Sequence, residues 1–150
     1  MQYSIIVNPK YTNCSRVGIE TIPENKELKF FLSSLRTKNF PSYLNDLTEE
    51  KSFGVENASF GFYHEMDWED KAGLEHLGGI KEREICIYLY DGRTNYAILS
   101  EILFVQVFYD YSVKLLEVYR TDSSLPVAWA MDMEDSLRKL KHLIDAKKNM

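Results

Sequence analysis

The stretch from Ser100 to Arg120, SEILFVQVFYDYSVKLLEVYR, constrains the fold more than any other part of the chain. Its aromatic and β-branched content would suit a strand, but its polar positions do not. Gln106, Asp110, Lys114, Glu117 and Thr121 recur at spacings of 4, 4, 3 and 4, which places them on one narrow stripe of a helix. All other sides are apolar. A helix of this kind, running over about 100–120 with Ser100 as its N-cap, has to lie at the centre of its domain, with the polar stripe alone meeting water.

The segment before it, REICIYLYDGRTNYAIL, carries Asp91-Gly92 between two alternating runs, the mark of a β-hairpin. A two-residue turn there sets Tyr90 opposite Arg93, Tyr88 opposite Asn95 and Cys86 opposite Ala97. The other face then carries Ile85, Ile87 and Leu89 with Thr94, Tyr96 and Ile98, and that face is expected to meet the central helix. The opposite face is expected to show tyrosines to solvent.

Elsewhere YSIIVN, ended by Asn8-Pro9, and RVGIETI, ending before Pro23, read as short strands. Leu28, Phe31, Leu32 and Leu35 fall on one helical face, with Pro23, Glu24 and Glu27 suited to its first turn. PSYLNDLTEE suits a second short helix opened by a proline, and ASFGFYHEM a strand with Phe60 and Phe62 on one side. DWEDKAGLEHLGGIK, with three glycines, reads as a long mobile connection. A last helix is expected over about 132–147, with Asp132 as N-cap, Met133, Leu137, Leu140 and Ile144 facing inward, and Trp129 plugging it onto the core. The order of elements predicts one α+β domain over 1–150: an antiparallel sheet with helices packed mainly on one side.

Composition excludes several classes. Hydrophobic residues make up 45% of the 150 and charged residues 27%, a globular balance. No run approaches the 18 apolar residues of a membrane span, and the first residues lack a signal-peptide pattern. A cytoplasmic protein with free thiols at Cys14 and Cys86 is therefore expected. The net charge of −5 is uneven: from Asn45 to Glu75 nine acids stand against Lys51 and Lys71, so that segment is −7 and the remainder +2. Such a balance argues against direct nucleic-acid binding, which calls for a basic stripe.

The acidic segment contains HEMDWED, residues 64–70. His64 with Asp67 or Asp70 and His76 offers metal-ligand types, but their spacing matches no HExxH or calcium-loop pattern. GxSxG, GxGxxG and the phosphate-cradling GxxxxGK[ST] are absent, and adjacent wet carboxylates are poorly placed for glycosidic acid–base work. Cys86 without a basic partner reads as a packed cysteine rather than a nucleophile. No catalytic residue, cofactor or metal site is expected. Two readings of HEMDWED remain: a solvated loop, or an acidic recognition surface in which Trp68 anchors a partner and Glu65, Asp67, Glu69 and Asp70 pair with its cations. Tyr88, Tyr90 and Arg93 on the hairpin's outer face join the second reading. A small metal-dependent hydrolase and a regulatory protein-binding adaptor stand as alternatives.

The run ICIYLYDGRTNYAILSEILFVQVFYDYSVKLLEVY, followed by MDMEDSLRKLKHLI, resembles the strand–turn–strand–helix and C-terminal helix of immunity proteins from bacterial polymorphic-toxin systems, including those of contact-dependent growth inhibition. The likeness covers roughly residues 80 to 145. It implies a non-enzymatic protein that binds a cognate toxin C-terminal domain, often a basic nuclease, and blocks its active site or substrate groove. A monomer is the expected free state.

Overall fold

A computed structural model describes residues 1–7 and 15–149; Asn8, Pro9 and Cys14 lie outside them. The fold is α+β, with its strands divided between two antiparallel sheets. β1 (Gln2–Val7) and β2 (Val17–Ile22) form a two-stranded ribbon in which Ile5 pairs with Ile19. α1 (Lys26–Ser34) follows, buried through Leu28, Phe31 and Leu32 as its spacing predicts. Pro23 and Glu24 lie before this helix rather than in its first turn. Asn25 is the cap instead: its side chain accepts from Leu28 N–H at 2.9 Å, while its own N–H donates to Thr21 Oγ1 at 2.7 Å.

α2 (Phe40–Thr48) opens with Pro41 in its first turn, as expected. β3 (Gly54–Val55) and β4 (Ala58–Phe62) lead through residues 63–83 to β5 (Glu84–Tyr90) and β6 (Thr94–Ser100), giving a second sheet in the order β3-β4-β5-β6. Within residues 63–83 lies α3 (Trp68–Ala72). α4 (Glu101–Tyr119) is the central helix, capped by Ser100, and α5 (Trp129–Lys148) packs against α2 and α4.

Two expectations shift in register. β5 and β6 pair as Tyr90 with Thr94, Tyr88 with Tyr96 and Cys86 with Ile98, one residue from the expected pairing. A type I′ turn needs positive φ at both central residues, and here Gly92 alone has it, at 100°. The chain spends three residues on the loop, which the Asn95 side chain ties down by donating to Asp91 Oδ1 at 2.9 Å and the Arg93 carbonyl at 3.3 Å. A one-residue slip exchanges the faces of β6. Asn95, Ala97 and Leu99 face the core, and Tyr96 and Ile98 join Cys86 and Tyr88 outside. α5 begins three residues before the expected start, so Asp132 lies in its first turn and Ala128 at the cap.

The core lies between the second sheet and the helices. Phe31, Phe60, Phe104 and Phe108 form its aromatic centre, with Phe60 and Phe104 ring centroids 4.6 Å apart. Trp129 is buried as expected, its indole N–H donating to the Thr37 carbonyl at 2.9 Å. The polar stripe of α4 does more than meet water: Asp110 accepts from the Tyr3 hydroxyl at 2.5 Å and from Gln106 at 3.1 Å, and Lys148 donates to Gln106 at 3.0 Å.

Candidate functional site

HEMDWED begins where β4 ends. Phe62 is the last core-facing residue of that strand, and the chain then turns sharply through Tyr63–Glu65. The turn is pinned to the connection after α2. Glu65 accepts from the Ser52 N–H at 2.6 Å and its hydroxyl at 2.5 Å, and Ser52 Oγ accepts from Phe62 N–H at 3.0 Å. His64 Nε2 lies 2.9 Å from the Glu50 carbonyl, and the ring stacks on Phe62 at 5.2 Å. A carbonyl only accepts, so Nε2 carries the proton.

Asp67 and Asp70 are also committed locally. Asp67 Oδ1 accepts from Asp70 N–H at 2.8 Å and Asp70 Oδ2 from Asp67 N–H at 3.1 Å, a reciprocal capping box that starts α3. The expected mobile connection is thus a folded segment, and local hydrogen bonding is the reason. Lys71 places its ammonium 4.0 Å over the Tyr63 ring. Leu74 is fully buried beyond the helix.

This segment lies over the outer face of the second sheet. Met66 Cε and Tyr88 Cε2 both approach Gly61, where an added Cβ would sit 3.3 and 3.7 Å from them. His76 meets Tyr96 at 5.5 Å, and Tyr96 meets Tyr88 at 5.6 Å, both edge-on. The face expected to be open is therefore roofed. Cys86 is fully buried beneath, donating weakly to the Ile87 carbonyl. Burial pushes its thiol up to about 11, against the opposing hydrogen bond with Tyr88. Burial likewise raises the Tyr88 phenol well above its usual range, with Cys86 and the nearby Asp70 charge adding to the effect. Cys86 is thus a free thiol packed out of solvent beneath the roof.

The eight candidate contact residues separate into two kinds. Glu65, Asp67 and Asp70 spend oxygens on backbone groups, and Tyr88 is half-buried under the roof. Trp68 is 76% exposed and Glu69 beside it is exposed, neither side chain making a hydrogen bond or ion pair with a described residue. Tyr90, 57% exposed, and exposed Arg93 sit at the hairpin end, with Tyr90 on the same strand face as Tyr88. The arrangement offers an aromatic and a carboxylate on a pinned turn, with a second aromatic at the sheet end.

Among the described residues no group of three or more His, Cys, Asp or Glu side chains is placed to hold a metal ion. No helix among the described residues is long and apolar enough to cross a membrane. A groove of about 460 Å³ runs between the β1–β2 ribbon and α1, lined in part by Glu20, Lys29 and Phe30, away from HEMDWED. Sequence reasoning missed one charged cluster: Lys147 bonds Glu50 at 2.5 Å and Glu101 at 2.6 Å, and Glu101 is 9% exposed. Its only sequence signal was a charged residue at the start of an otherwise buried helix. No protein-family model, curated protein or solved structure matches the chain.

Proposed function

We propose that this chain is an immunity protein that acts in the cytoplasm, binding a cognate toxin domain and neutralising it by covering its active site or substrate groove. The toxin domain is a basic nuclease on this reading. The observation that carries it is Trp68: a large aromatic, 76% exposed, beside the unpaired carboxylate of Glu69 on a turn fixed by its own capping box. A tryptophan held out by a rigid turn loses little freedom on binding, which suits a hot-spot anchor. The acidic balance of residues 45–75 suits steering toward a basic partner. The likeness of the hairpin, central helix and C-terminal helix to immunity proteins supports the same reading.

The test is co-purification with the product of the adjacent upstream gene, followed by binding kinetics at low and high salt. A tight complex with a salt-sensitive association rate, weakened by Trp68→Ala and by Glu69→Lys, is the expected result. Retention of no partner would sink the reading. A partner that ignores both changes would leave the function standing and move the contact elsewhere. Asp67 and Asp70 are poor sites for this test because reversing them also unpins α3.

A further inference from the structure

The second sheet has two edges, and they are treated differently. β3 contributes only Gly54 and Val55 at one edge. β6 forms the other with seven residues, TNYAILS, which include no charge, no proline and no glycine. Natural sheets guard long edges with such residues because the unpaired backbone is a template for another strand.

The hydrogen-bond phase of β6 is fixed by its neighbours. Asp91 N–H donates to the Arg93 carbonyl and Glu101 N–H to the Arg83 carbonyl, while Tyr90 N–H points the other way, to Asn57 on the β4 side. Odd-numbered β6 residues therefore bond β5. Thr94, Tyr96 and Ile98 aim their backbone N–H and C=O groups outward, where no described residue meets them.

We propose that this edge pairs antiparallel with β6 of a second copy, about a two-fold axis at Ala97. That register is the one the phase allows over the whole strand. It sets Tyr96 against Ile98 of the other copy and Thr94 against Ser100, all residues whose amides face outward. Tyr96 against Ile98 is an aromatic and β-branched pair, favourable across strands. Ala97 meets its own copy at the axis, where a small side chain permits close approach. No charged side chain on the strand faces its duplicate, so the edge is complementary to itself. The joined sheet would run through both copies, leaving Trp68 and its turn to the reading given above.

Sedimentation over a roughly hundredfold concentration range tests this, with amide exchange at both ends of the range. A concentration-dependent dimer with slow exchange at Tyr96 and Ile98 is expected. Ile98→Pro removes an outward N–H and leaves the β5 ladder intact; Thr94→Lys adds a guarding charge at an exposed position and keeps the test open should the proline disturb folding. Either change should weaken the dimer by about tenfold or more. A monomer throughout, a dimer indifferent to both changes, or Tyr96 and Ile98 amides slowed only when a different protein is added would each overturn the proposal.

Discussion

The Tyr3 hydroxyl donates a 2.5 Å hydrogen bond to the Asp110 carboxylate, tying the first strand to the middle of the central helix. Asp110 also accepts from Gln106, so deleting the phenol oxygen leaves the carboxylate one partner. Tyr3→Phe should lower stability by about 1.5–3 kcal/mol, the range for a hydrogen bond to a charged group. Urea denaturation of the two proteins checks this; a midpoint unchanged within error would show the bond to be energetically idle.

The cluster of Lys147 with Glu50 and Glu101 should matter more than a surface pair. Burial alone would lower the lysine's affinity for its proton, yet the two carboxylates outweigh that and hold it above the usual lysine range. Lys147→Met leaves Glu101 largely buried without its cation, a loss of roughly 2–3 kcal/mol. The double change Lys147→Met, Glu101→Gln should recover part of it. Thermal melts of wild type, single and double variants measure the recovery.

Alkaline pH should destabilise the fold before it chemically harms the chain. Cys86 is pushed up to about 11, and the phenols of Tyr3 and Tyr88 are raised, each chiefly by burial. The unfolded chain releases these protons first, at about pH 8.5–10. Stability is therefore complete below about pH 8.5 and falls as pH climbs through about 11 and beyond. Denaturation midpoints taken at steps from about pH 8 upward should decline, and Tyr3→Phe should decline less steeply.

Thr37 holds a buried hydroxyl with no hydrogen-bond partner among the described residues, although its carbonyl receives the Trp129 indole. Replacing an unsatisfied hydroxyl by a methyl of the same shape removes a desolvation cost. Thr37→Val should raise stability by up to about 1 kcal/mol, read as a higher melting temperature. A fall would mean that the hydroxyl has a solvent partner.

Trp68→Ala should separate binding from folding. The indole is 76% exposed, so stability should move by less than about 0.5 kcal/mol. Loss of an anchoring tryptophan should weaken a toxin complex by about 2 kcal/mol or more, roughly thirtyfold in Kd. Calorimetric melting and binding kinetics on the same preparations decide between an anchor and an incidental aromatic.

How much of this was legible beforehand depended on the range of the interactions. α1 and α4 were readable because Leu28, Phe31 and Leu32 repeat at helical spacing and the polar stripe of α4 is narrow. The hairpin's existence was written in Asp91-Gly92, but its register rested on Asn95 reaching back to Asp91, a side-chain contact that alternation does not encode. The fold of residues 63–79 was missed for a related reason. Its helix is five residues long, too short for a periodic signal, and is held by Asp67 and Asp70 at capping-box spacing and by one buried leucine, Leu74. Charge drew attention to these carboxylates, yet three of the four in the candidate surface proved to be fastening the turn that displays Trp68 and Glu69.

β4 and β5 are adjacent antiparallel strands, which a tight turn can join, yet residues 63–83 are threaded between them. The core beneath does not need that insert for its ladder, since Phe60 pairs with Ile87 whatever bridges the strand ends. The insert is thus a graft on the sheet and not a link in its ladder: with Met66 and Leu74 seated and the Asp67–Asp70 box closed, Trp68 and Glu69 are the two positions that can be exchanged at little cost to the scaffold.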